Sequence, residues 1–431
     1  MTKQTVGERK KFWFTLDNAA KIFPGQNSKT WSNSFRVCYE LTEKVDPDLL
    51  EQALKDIMCR FPCYNVRMRH GFFWYYLEEN KNTPAVMPDI KNPLYRVKYN
   101  ENGRFLFKVY FHGSRIAVDF YHVLTDGCGG KQFISTLVAR YLTLKYGVDI
   151  PAEKSVLDIK KQCSEAELED SFDKNANSKA KYNRRDKYVY HANGTKMPYH
   201  TVNIITGVIP FDELHALTKK YNVTVTEFLS ALMLDVLIKK QNREVREKKR
   251  REVSIQIPVD LRRTFNSQTL RNFTICMRVK IDPKKGDYTF PELLNSVKLQ
   301  LRLANDPKEH NTAITANMGI ERNPFIRIVP LFIKTAGVSI GFYFTAEQTT
   351  SSLITNLGNV DIPDEMKPYV NKFIFMPAPG KLNAARCGVA TCNNNLAVTF
   401  SNSYAESDIE REFFTSLVKM GLHVKIESNR E

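Results

Sequence analysis

The sequence predicts an α/β protein made of two halves, each combining α-helices with hairpin-like β-strands. Segments with helical and with strand periodicity occur in both halves of the 431 residues. Paired strands follow each other through short turns rather than through crossover helices, which argues against a repeating βαβ sheet. A polar stretch, 151–198, interrupts the apolar pattern. The sequence therefore predicts two units, 1–150 and 199–431, joined by the connector 151–198.

Four segments of the first half have a clear helical or strand periodicity in their apolar residues. They are a helix over 45–61, a strand over 72–77, a hairpin of strands over 105–113 and 115–122, and a helix over 129–147. Asp46 or Asp48 is expected to cap the first helix, because a short carboxylate accepts the unpaired N–H groups of a helix start. Gly113 supplies the hairpin turn.

The second half repeats this mixture of elements. It contains a strand over 201–209, a helix over 225–240, a strand over 253–259 and a closing helix over 408–420. The aromatic, β-prone start of FYFTAEQTT (342–350) predicts a further strand. Each half is thus α plus β, and no dinucleotide fingerprint or P-loop is present.

The net charge of +16 comes from 63 Lys and Arg against 47 Asp and Glu. Two basic stretches, 174–187 and 239–251, carry most of it. Neither has the interleaved aromatic residues of a single-strand binder, so we expect no nucleic-acid partner. Both stretches are typical of solvated surface, one at the end of a helix and one in a polar connector. The alternative is that their charge attracts an anionic ligand such as coenzyme A.

Other features of the composition exclude further classes. No apolar stretch is long enough for a membrane-spanning helix. Only Phe12, Trp13 and Phe14 follow the basic N-terminal residues, too few for the apolar region of a signal peptide, so a cytoplasmic protein is expected. The eight cysteines are scattered without paired spacing, which predicts free thiols and no metal site.

The segment RIAVDFYHVLTDGCGGKQF (115–133) carries the chemistry. Alternation places one set of side chains on a single strand face: Ile116, Val118, Phe120 and His122. Asp126 follows four residues after His122, and Gly127, Gly129 and Gly130 permit a tight turn into the next helix. A half-buried imidazole beside such a turn can act as a general base. The spacing fits equally well a core histidine followed by a helix-capping aspartate.

His122 to Gly127 match the H-x-x-x-D-G motif, and the chain resembles the chloramphenicol-acetyltransferase-like superfamily. Three further segments look like that group in the expected order: FTLDNAAKIFP (14–24), IPVDLRRTF…TLRNF (257–273) and SSLITNLGNVDIP (351–363). Tyr121 stands where peptide condensation domains carry a second histidine, and the D-F-G-W-G segment of the plant-type branch is missing. The resemblance is therefore to the bacterial alcohol-acetyltransferase-like branch.

This resemblance implies two chloramphenicol-acetyltransferase-like lobes with an active-site tunnel between them. It implies an acyl-CoA co-substrate, with acetyl-CoA the expected donor, and an alcohol acceptor; an amine acceptor or an acyl carrier protein as donor stays open. No resident cofactor is implied. His122 would take the proton of the acceptor hydroxyl. The backbone N–H near Gly127 and the side chain of Thr355 or Asn356 are candidates for stabilising the oxyanion.

The resemblance gives Asp126 a structural role, in which it forms an ion pair with an arginine from elsewhere in the chain. Arg262 is the first candidate for that arginine and Arg271 the second. If Asp126 instead pointed at His122, it would be a carboxylate that orients the imidazole.

Two other functions compete with the acyltransferase. The first is a non-catalytic or carrier-protein-binding member of the same fold. The second is a serine hydrolase, because 337–341 match G-x-S-x-G around Ser339, and Asp361 or Asp408 and then His423 follow. That motif requires a strand before the serine and a helix after it, whereas the sequence predicts a turn or strand at Ser339.

Overall fold

The computed structural model describes residues 12–28, 32–179, 187–382 and 385–430. Part of the basic stretch 174–187, residues 180–186, lies outside this description. The strands are β1 Trp13–Thr15, β2 Ser34–Leu41, β3 Val66–His70, β4 Tyr75–Glu79, β5 Val86–Pro88, β6 Phe107–His112, β7 Arg115–Tyr121, β8 Asn203–Pro210, β9 Val253–Asp260, β10 Thr274–Ile281, β11 Ser352–Asn359, β12 Val370–Met376, β13 Ala385–Cys392, β14 Asn395–Asn402 and β15 Lys425–Ser428.

The α-helices lie between these strands. They are α1 Pro47–Ile57, α2 Gly127–Tyr146, α3 Glu165–Leu168, α4 Ser171–Asn175, α5 Phe211–Lys220, α6 Val225–Glu244, α7 Arg262–Phe265, α8 Phe290–Ala304, α9 Pro307–Arg322, α10 Pro324–Arg327, α11 Leu331–Thr345 and α12 Asp408–Lys419. Short 3₁₀ helices cover Ala20–Gln26, Met58–Arg60, Asn102–Arg104, Glu247–Lys249, Pro283–Lys285, Glu347–Thr349 and Asp364–Tyr369.

The first half folds around a five-stranded sheet with the order β12-β2-β7-β6-β5, next to a small sheet with the order β1-β4-β3. β6 and β7 form the predicted antiparallel hairpin. α1 and α2 pack against each other and bury their apolar stripes in one core with the strands. The Asp46 side chain accepts the N–H groups of Asp48 and Leu49, so Asp46 is the cap of α1.

The second half folds around a seven-stranded sheet with the order β10-β9-β11-β13-β14-β8-β15. α6 packs against α8, α12 and β9, and its apolar side chains form the centre of the second core. Thr224 and Glu227 close a capping box at the start of α6, which fixes where that helix begins.

β12 ties the two halves together. It comes from the second half of the chain, yet it pairs antiparallel with β2, with Phe373 opposite Tyr39 and Phe375 opposite Val37. The boundaries 1–150, 151–198 and 199–431 remain a prediction, but this strand shows that the sheet of the first half is completed by a segment far outside 1–150. The two halves share backbone hydrogen bonds as well as side-chain contacts.

Two predicted strands differ in the structure. The strand predicted over 72–77 begins only at Tyr75, because the Gly71 N–H donates to the Trp74 carbonyl and closes a turn that exposes Phe72 and Phe73. The strand predicted at the start of 342–350 is wrong: these aromatic residues continue α11 up to Thr345. Local helical hydrogen bonds thus override β propensity there.

No single helix in the described part of the chain is long and apolar enough to cross a membrane. Taken together, α5 and α6 have the length and the apolar composition of a membrane span, but the two helices are bent by 82° relative to each other.

Candidate active site

His122 lies directly after β7, at the end of the strand that the sequence singles out. Its backbone N–H donates to the Asn33 carbonyl at 3.1 Å, which holds the strand end in place. The imidazole stacks on Phe23, with 4.5 Å between ring centroids, and meets the edge of Phe35 at 5.0 Å. The ring is therefore clamped between aromatic side chains while the residue stays partly exposed.

Asn272 fixes the tautomer of this imidazole. Its amide nitrogen donates to the His122 carbonyl and to Asp17 Oδ2, both at 3.1 Å. Its Oδ1 must then accept from His122 Nδ1, which lies 2.9 Å away. Nδ1 therefore carries the proton, and the lone pair is on Nε2. Nε2 has no hydrogen-bond partner among the described residues, so it is available to a substrate.

The environment keeps His122 neutral. Burial lowers the pKa of the imidazole below its usual 6.5, while the charge of Asp126 and the hydrogen bond that Nδ1 donates to Asn272 act in the opposite direction without overcoming it. A neutral imidazole with a free Nε2 is the form that can accept a proton near neutral pH.

Asp17 supports Asn272 from the other side. It is fully buried, and its Oδ1 accepts the Ala20 N–H at 2.7 Å. Burial raises the pKa of this carboxyl, and the nearby Arg271 opposes that rise. Arg271 lies 3.8 Å from Asp17 and donates to the Thr15 carbonyl at 2.6 Å. Arg271, the second candidate for the ion pair with Asp126, thus interacts with Asp17 instead.

Both carboxylate oxygens of Asp126 accept several hydrogen bonds. Its Oδ1 accepts the Cys128 and Gly129 N–H groups and Arg262 Nη2, at 3.1, 3.2 and 3.0 Å. Its Oδ2 accepts Arg262 Nη1 at 3.0 Å and the Phe273 N–H at 2.8 Å. Burial alone would raise the pKa of this carboxyl, but Arg262 and the backbone donors hold it below 3.8. Asp126 caps α2 and binds the second half of the chain, and it does not contact the imidazole by a hydrogen bond.

Arg262 is equally satisfied, since all five of its N–H groups have an acceptor. Besides the two oxygens of Asp126 these are Asp260 Oδ1 and the carbonyls of Thr269 and Arg271. The guanidinium therefore links the motif 122–127 to the segment 269–273 at a fixed distance.

The glycines after Asp126 bring the halves into close approach. A Cβ on Gly129 would overlap Thr125 Oγ1 and the Leu270 carbonyl oxygen and would lie 2.7 Å from Tyr64 Oη. A Cβ on Gly127 would lie 2.6 Å from Leu357 Cδ2. Only glycine leaves room for these contacts.

We expect Gly129→Ala to lower the free energy of unfolding by about 1–3 kcal/mol, because the added methyl group meets backbone that cannot move aside. Urea unfolding measures the change. Gly319→Ala is the control, because its Cβ meets nothing within 4 Å on α9 and helix propensity predicts a gain of about 0.5–1 kcal/mol. Equal stability of Gly129→Ala and the native protein would contradict the close packing.

The candidate oxyanion donors differ in their surroundings. The Gly127 N–H begins α2 and has no hydrogen-bond acceptor among the described residues, so it is available to a ligand. Asn356 Nδ2 donates to Thr226 Oγ1 at 3.1 Å, and its Oδ1 accepts the Gly358 N–H. Thr355 lies on β11 opposite Gly388, just before an irregularity of that strand between Asn356 and Asn359. The Gly127 N–H thus lacks an acceptor within the described ranges, whereas the amide of Asn356 is already hydrogen-bonded.

The residues that the structure describes do not form the serine-hydrolase arrangement. Ser339 lies inside α11 rather than on a turn between strand and helix. His423 Nδ1 hydrogen-bonds Glu213 at 2.9 Å on an exposed surface, and Asp408 pairs with Lys240 at 2.5 Å. The nucleophile elbow that the G-x-S-x-G motif requires is therefore missing.

No protein-family model matches the chain, and no curated protein matches it. Solved structures do match over nearly its whole length. The trichothecene 15-O-acetyltransferase TRI3 from Fusarium sporotrichioides has a TM-score of 0.62 and 11% identity, covering 97% of this chain and 96% of its own. TRI101 from F. sporotrichioides, complexed with coenzyme A and T-2, has a TM-score of 0.64 and 10% identity, covering 96% and 99%.

The epimerization domain from the third module of tyrocidine synthetase B also matches, with a TM-score of 0.58 and 12% identity over 97% of this chain and 98% of its own. At these identities the likeness shows the fold. The chain has the two-lobed fold of chloramphenicol-acetyltransferase-like and condensation-domain proteins, and the fold class predicted from the sequence is confirmed.

Proposed function

We propose that this protein is an acyl-CoA-dependent O-acyltransferase in which His122 is the general base. One observation carries the proposal: Asn272 holds the proton on Nδ1 of a neutral imidazole, so that the lone pair is on Nε2. The fold supports the reaction class, since TRI3 is by its description an O-acetyltransferase and TRI101 was solved with coenzyme A bound.

In the proposed reaction Nε2 of His122 takes the proton of the acceptor hydroxyl as its oxygen attacks the thioester carbonyl. The carbonyl π electrons move onto oxygen and form a tetrahedral oxyanion. The Gly127 N–H and the Thr355 hydroxyl are the proposed donors to that oxyanion. The intermediate then collapses with cleavage of the C–S bond, and the imidazolium returns its proton to the leaving thiolate.

This mechanism needs no acyl-enzyme, because holding the two substrates side by side supplies much of the rate. Asp126 and Arg262 do not take part in proton transfer. Their proposed role is structural: they keep the motif 122–127 attached to the segment that carries Asn272.

Thiol release tests the proposal. The full chain is incubated with acetyl-CoA and longer acyl-CoAs against a panel of alcohols and amines, and free thiol is measured with and without each acceptor. We expect release that depends on an alcohol. Release with amines alone would overturn O-acylation, and no acceptor-dependent release from any acyl-CoA would overturn the CoA-dependent enzyme. Transfer only from an acylated carrier protein would make that protein, rather than coenzyme A, the acyl donor.

We expect the pH profile of kcat/KM to have its acid limb at low pH. Because burial lowers the pKa of His122, the imidazole stays unprotonated at neutral pH and becomes a cation only in more acidic solution. We expect kcat/KM to fall with decreasing pH around a midpoint below 6.5. A midpoint above 6.5 would mean that a different group is the base.

Asn272→Ala tests whether Asn272 positions the base. Its hydrogen bond raises the pKa of His122, so its loss should move the acid limb to still lower pH. Because the ring would also lose its fixed tautomer and direction, we expect kcat to fall about 10- to 100-fold.

Asn80→Ala is the matched control, since Asn80 is a buried amide bonded to the Gly103 carbonyl away from His122. It should reduce stability without moving the limb. A role of Asn272 in packing alone would leave the acid midpoint of Asn272→Ala where the native enzyme has it.

A further inference from the structure

An apolar surface covers α10, α11 and the turn between β3 and β4, and the proposed reaction does not use it. Every residue of α11 is at least partly exposed, including Phe332 at 74%. We call the following set the apolar face: Phe72, Phe73, Phe325, Ile328, Phe332, Ile333, Ile340 and Phe344. Contiguous exposed aromatic and aliphatic side chains of this size mark an interaction surface rather than ordinary solvent-facing structure.

The elements that carry the apolar face are joined into one unit. The Leu331 N–H donates to the Phe72 carbonyl at 2.9 Å, which links α11 to the β3–β4 turn. Lys334 Nζ donates to the carbonyls of Phe73 and Arg327 at 3.1 and 3.0 Å and lies 3.5 Å from the centre of the Trp74 ring. The face is therefore held in shape by hydrogen bonds that cross from element to element.

The charges on and beside this surface are basic. Residues 323–345 contain two charged side chains, Arg327 and Lys334, and no acidic one. Arg327 makes no ion pair with any residue that the structure describes. β3 and β4 lead from the turn to a cavity of about 860 Å³. The charged side chains that line it are Arg67, Arg69, Arg96, Lys98 and Arg104, against Glu78.

Part of this basic charge is not neutralised locally. Arg67 and Arg69 share the single carboxylate of Glu78. Arg96 and Arg104 form no ion pair within the described ranges. The cavity thus keeps an excess of positive charge next to the apolar face, which complements an anionic surface.

We propose that the apolar face docks on an anionic phospholipid bilayer, with its aromatic and aliphatic side chains in the interfacial region and the basic cavity against the headgroups. An apolar band flanked by arginine and lysine is the pattern by which proteins bind a membrane surface without crossing it. Residues 323–345 contain no acidic side chain that would repel an anionic headgroup, and the charged side chains of the cavity beside them are mainly arginine and lysine, so the charges favour an anionic lipid surface as the occupant.

One short helix lies between the apolar face and the candidate site. A Cβ on Gly25 would lie 2.8 Å from the Thr335 carbonyl oxygen, so α11 packs directly on the 3₁₀ helix Ala20–Gln26. That short helix carries Phe23, on which His122 stacks. The docking proposal itself does not depend on the proposed reaction, because lipid binding is measured without turnover.

Vesicle co-sedimentation of the full chain tests the docking. One set of vesicles contains phosphatidylcholine with phosphatidylglycerol, and the other contains phosphatidylcholine alone. We expect binding to the anionic vesicles that weakens with added salt, and much weaker binding to the neutral ones. Absence of binding to anionic vesicles, or equal binding to both kinds, would overturn the proposal.

Three sets of variants locate the surface. Phe332→Ser with Ile333→Ser should weaken binding to anionic vesicles at least about tenfold, because both side chains leave the interfacial region. Arg96→Gln with Arg104→Gln should weaken it about fivefold for each charge removed, and only on anionic vesicles. Val418→Ser with Ile426→Ser, which are exposed apolar residues elsewhere, should leave it unchanged.

Circular dichroism and thermal unfolding establish that each variant is folded. Equal loss of binding in the Val418→Ser, Ile426→Ser control would overturn the assignment to the apolar face. Light scattering decides between lipid and a second copy of the chain. A native dimer in the absence of lipid that becomes a monomer in Phe332→Ser, Ile333→Ser would replace the membrane by self-association.

Discussion

Replacing His122 by alanine is expected to lower kcat/KM for acyl transfer by about 10²- to 10⁴-fold, the usual contribution of a positioned general base. The residual rate should come from holding donor and acceptor together and from the oxyanion donors, which the substitution leaves in place. Stability should fall by about 1–3 kcal/mol, because the buried Oδ1 of Asn272 loses the donor Nδ1 of His122. The stacking of the ring on Phe23 is lost as well.

His215→Ala is the matched control for this variant. His215 is also half-buried and stacks on a phenylalanine, Phe211, with 5.3 Å between ring centroids. It lies on α5, outside the candidate site, so its loss should leave kcat/KM unchanged. Thiol release at saturating donor and varied acceptor separates kcat from KM. If His122→Ala released thiol at the native rate, the base would have to be sought elsewhere.

Replacing Asp126 by asparagine is expected to cost about 3–5 kcal/mol of folding stability, the range found when one partner of a buried ion pair is removed. Arg262 would lose its charged partner, and an amide can offer acceptors to only some of the five donors that Asp126 now satisfies. The halves of the chain are joined at this point, so we expect turnover to fall together with stability.

Asp260→Ala removes the other acidic partner of the same arginine, at 2.8 Å and with a third of its side chain exposed, and should cost much less. Because the pKa of Asp126 is held below 3.8, the stability difference between native protein and Asp126→Asn should persist in mild acid. It should narrow only as the pH falls below 3.8. A fully stable but inactive Asp126→Asn protein would contradict the structural role and favour an orienting one.

Local pattern was sufficient to predict the strand that ends just before His122 and the helix that Asp126 caps. Both depend on residues within one turn of each other, where periodicity and capping chemistry decide the structure. The resemblance added Arg262, which the structure places on Asp126. What local pattern could not supply is the relation between segments that meet only when the halves dock.

Asn272 illustrates that limit. It lies 150 residues after His122 in the sequence, and nothing in the segment TLRNF distinguishes its asparagine from a polar surface residue. Its role depends on Asp17 and on the His122 carbonyl, which together orient the amide. The strand wrongly predicted over 342–350 has a related cause: the aromatic residues of α11 suit a strand locally, but the chain there completes a helix that packs on Ala20–Gln26.

The pairing of β12 with β2 has a consequence for how the protein is made. When the ribosome has finished β7, β2 can pair on one side only. Its other edge stays unpaired until β12, about 250 residues further along the chain, has been synthesised. At ordinary rates of synthesis this interval lasts roughly ten to fifty seconds. During that time an almost wholly buried strand, Ser34–Leu41, presents unpaired backbone groups to any neighbouring chain. Truncation before Val370 should therefore yield aggregates rather than a separate first lobe, and rapid expression should demand chaperones.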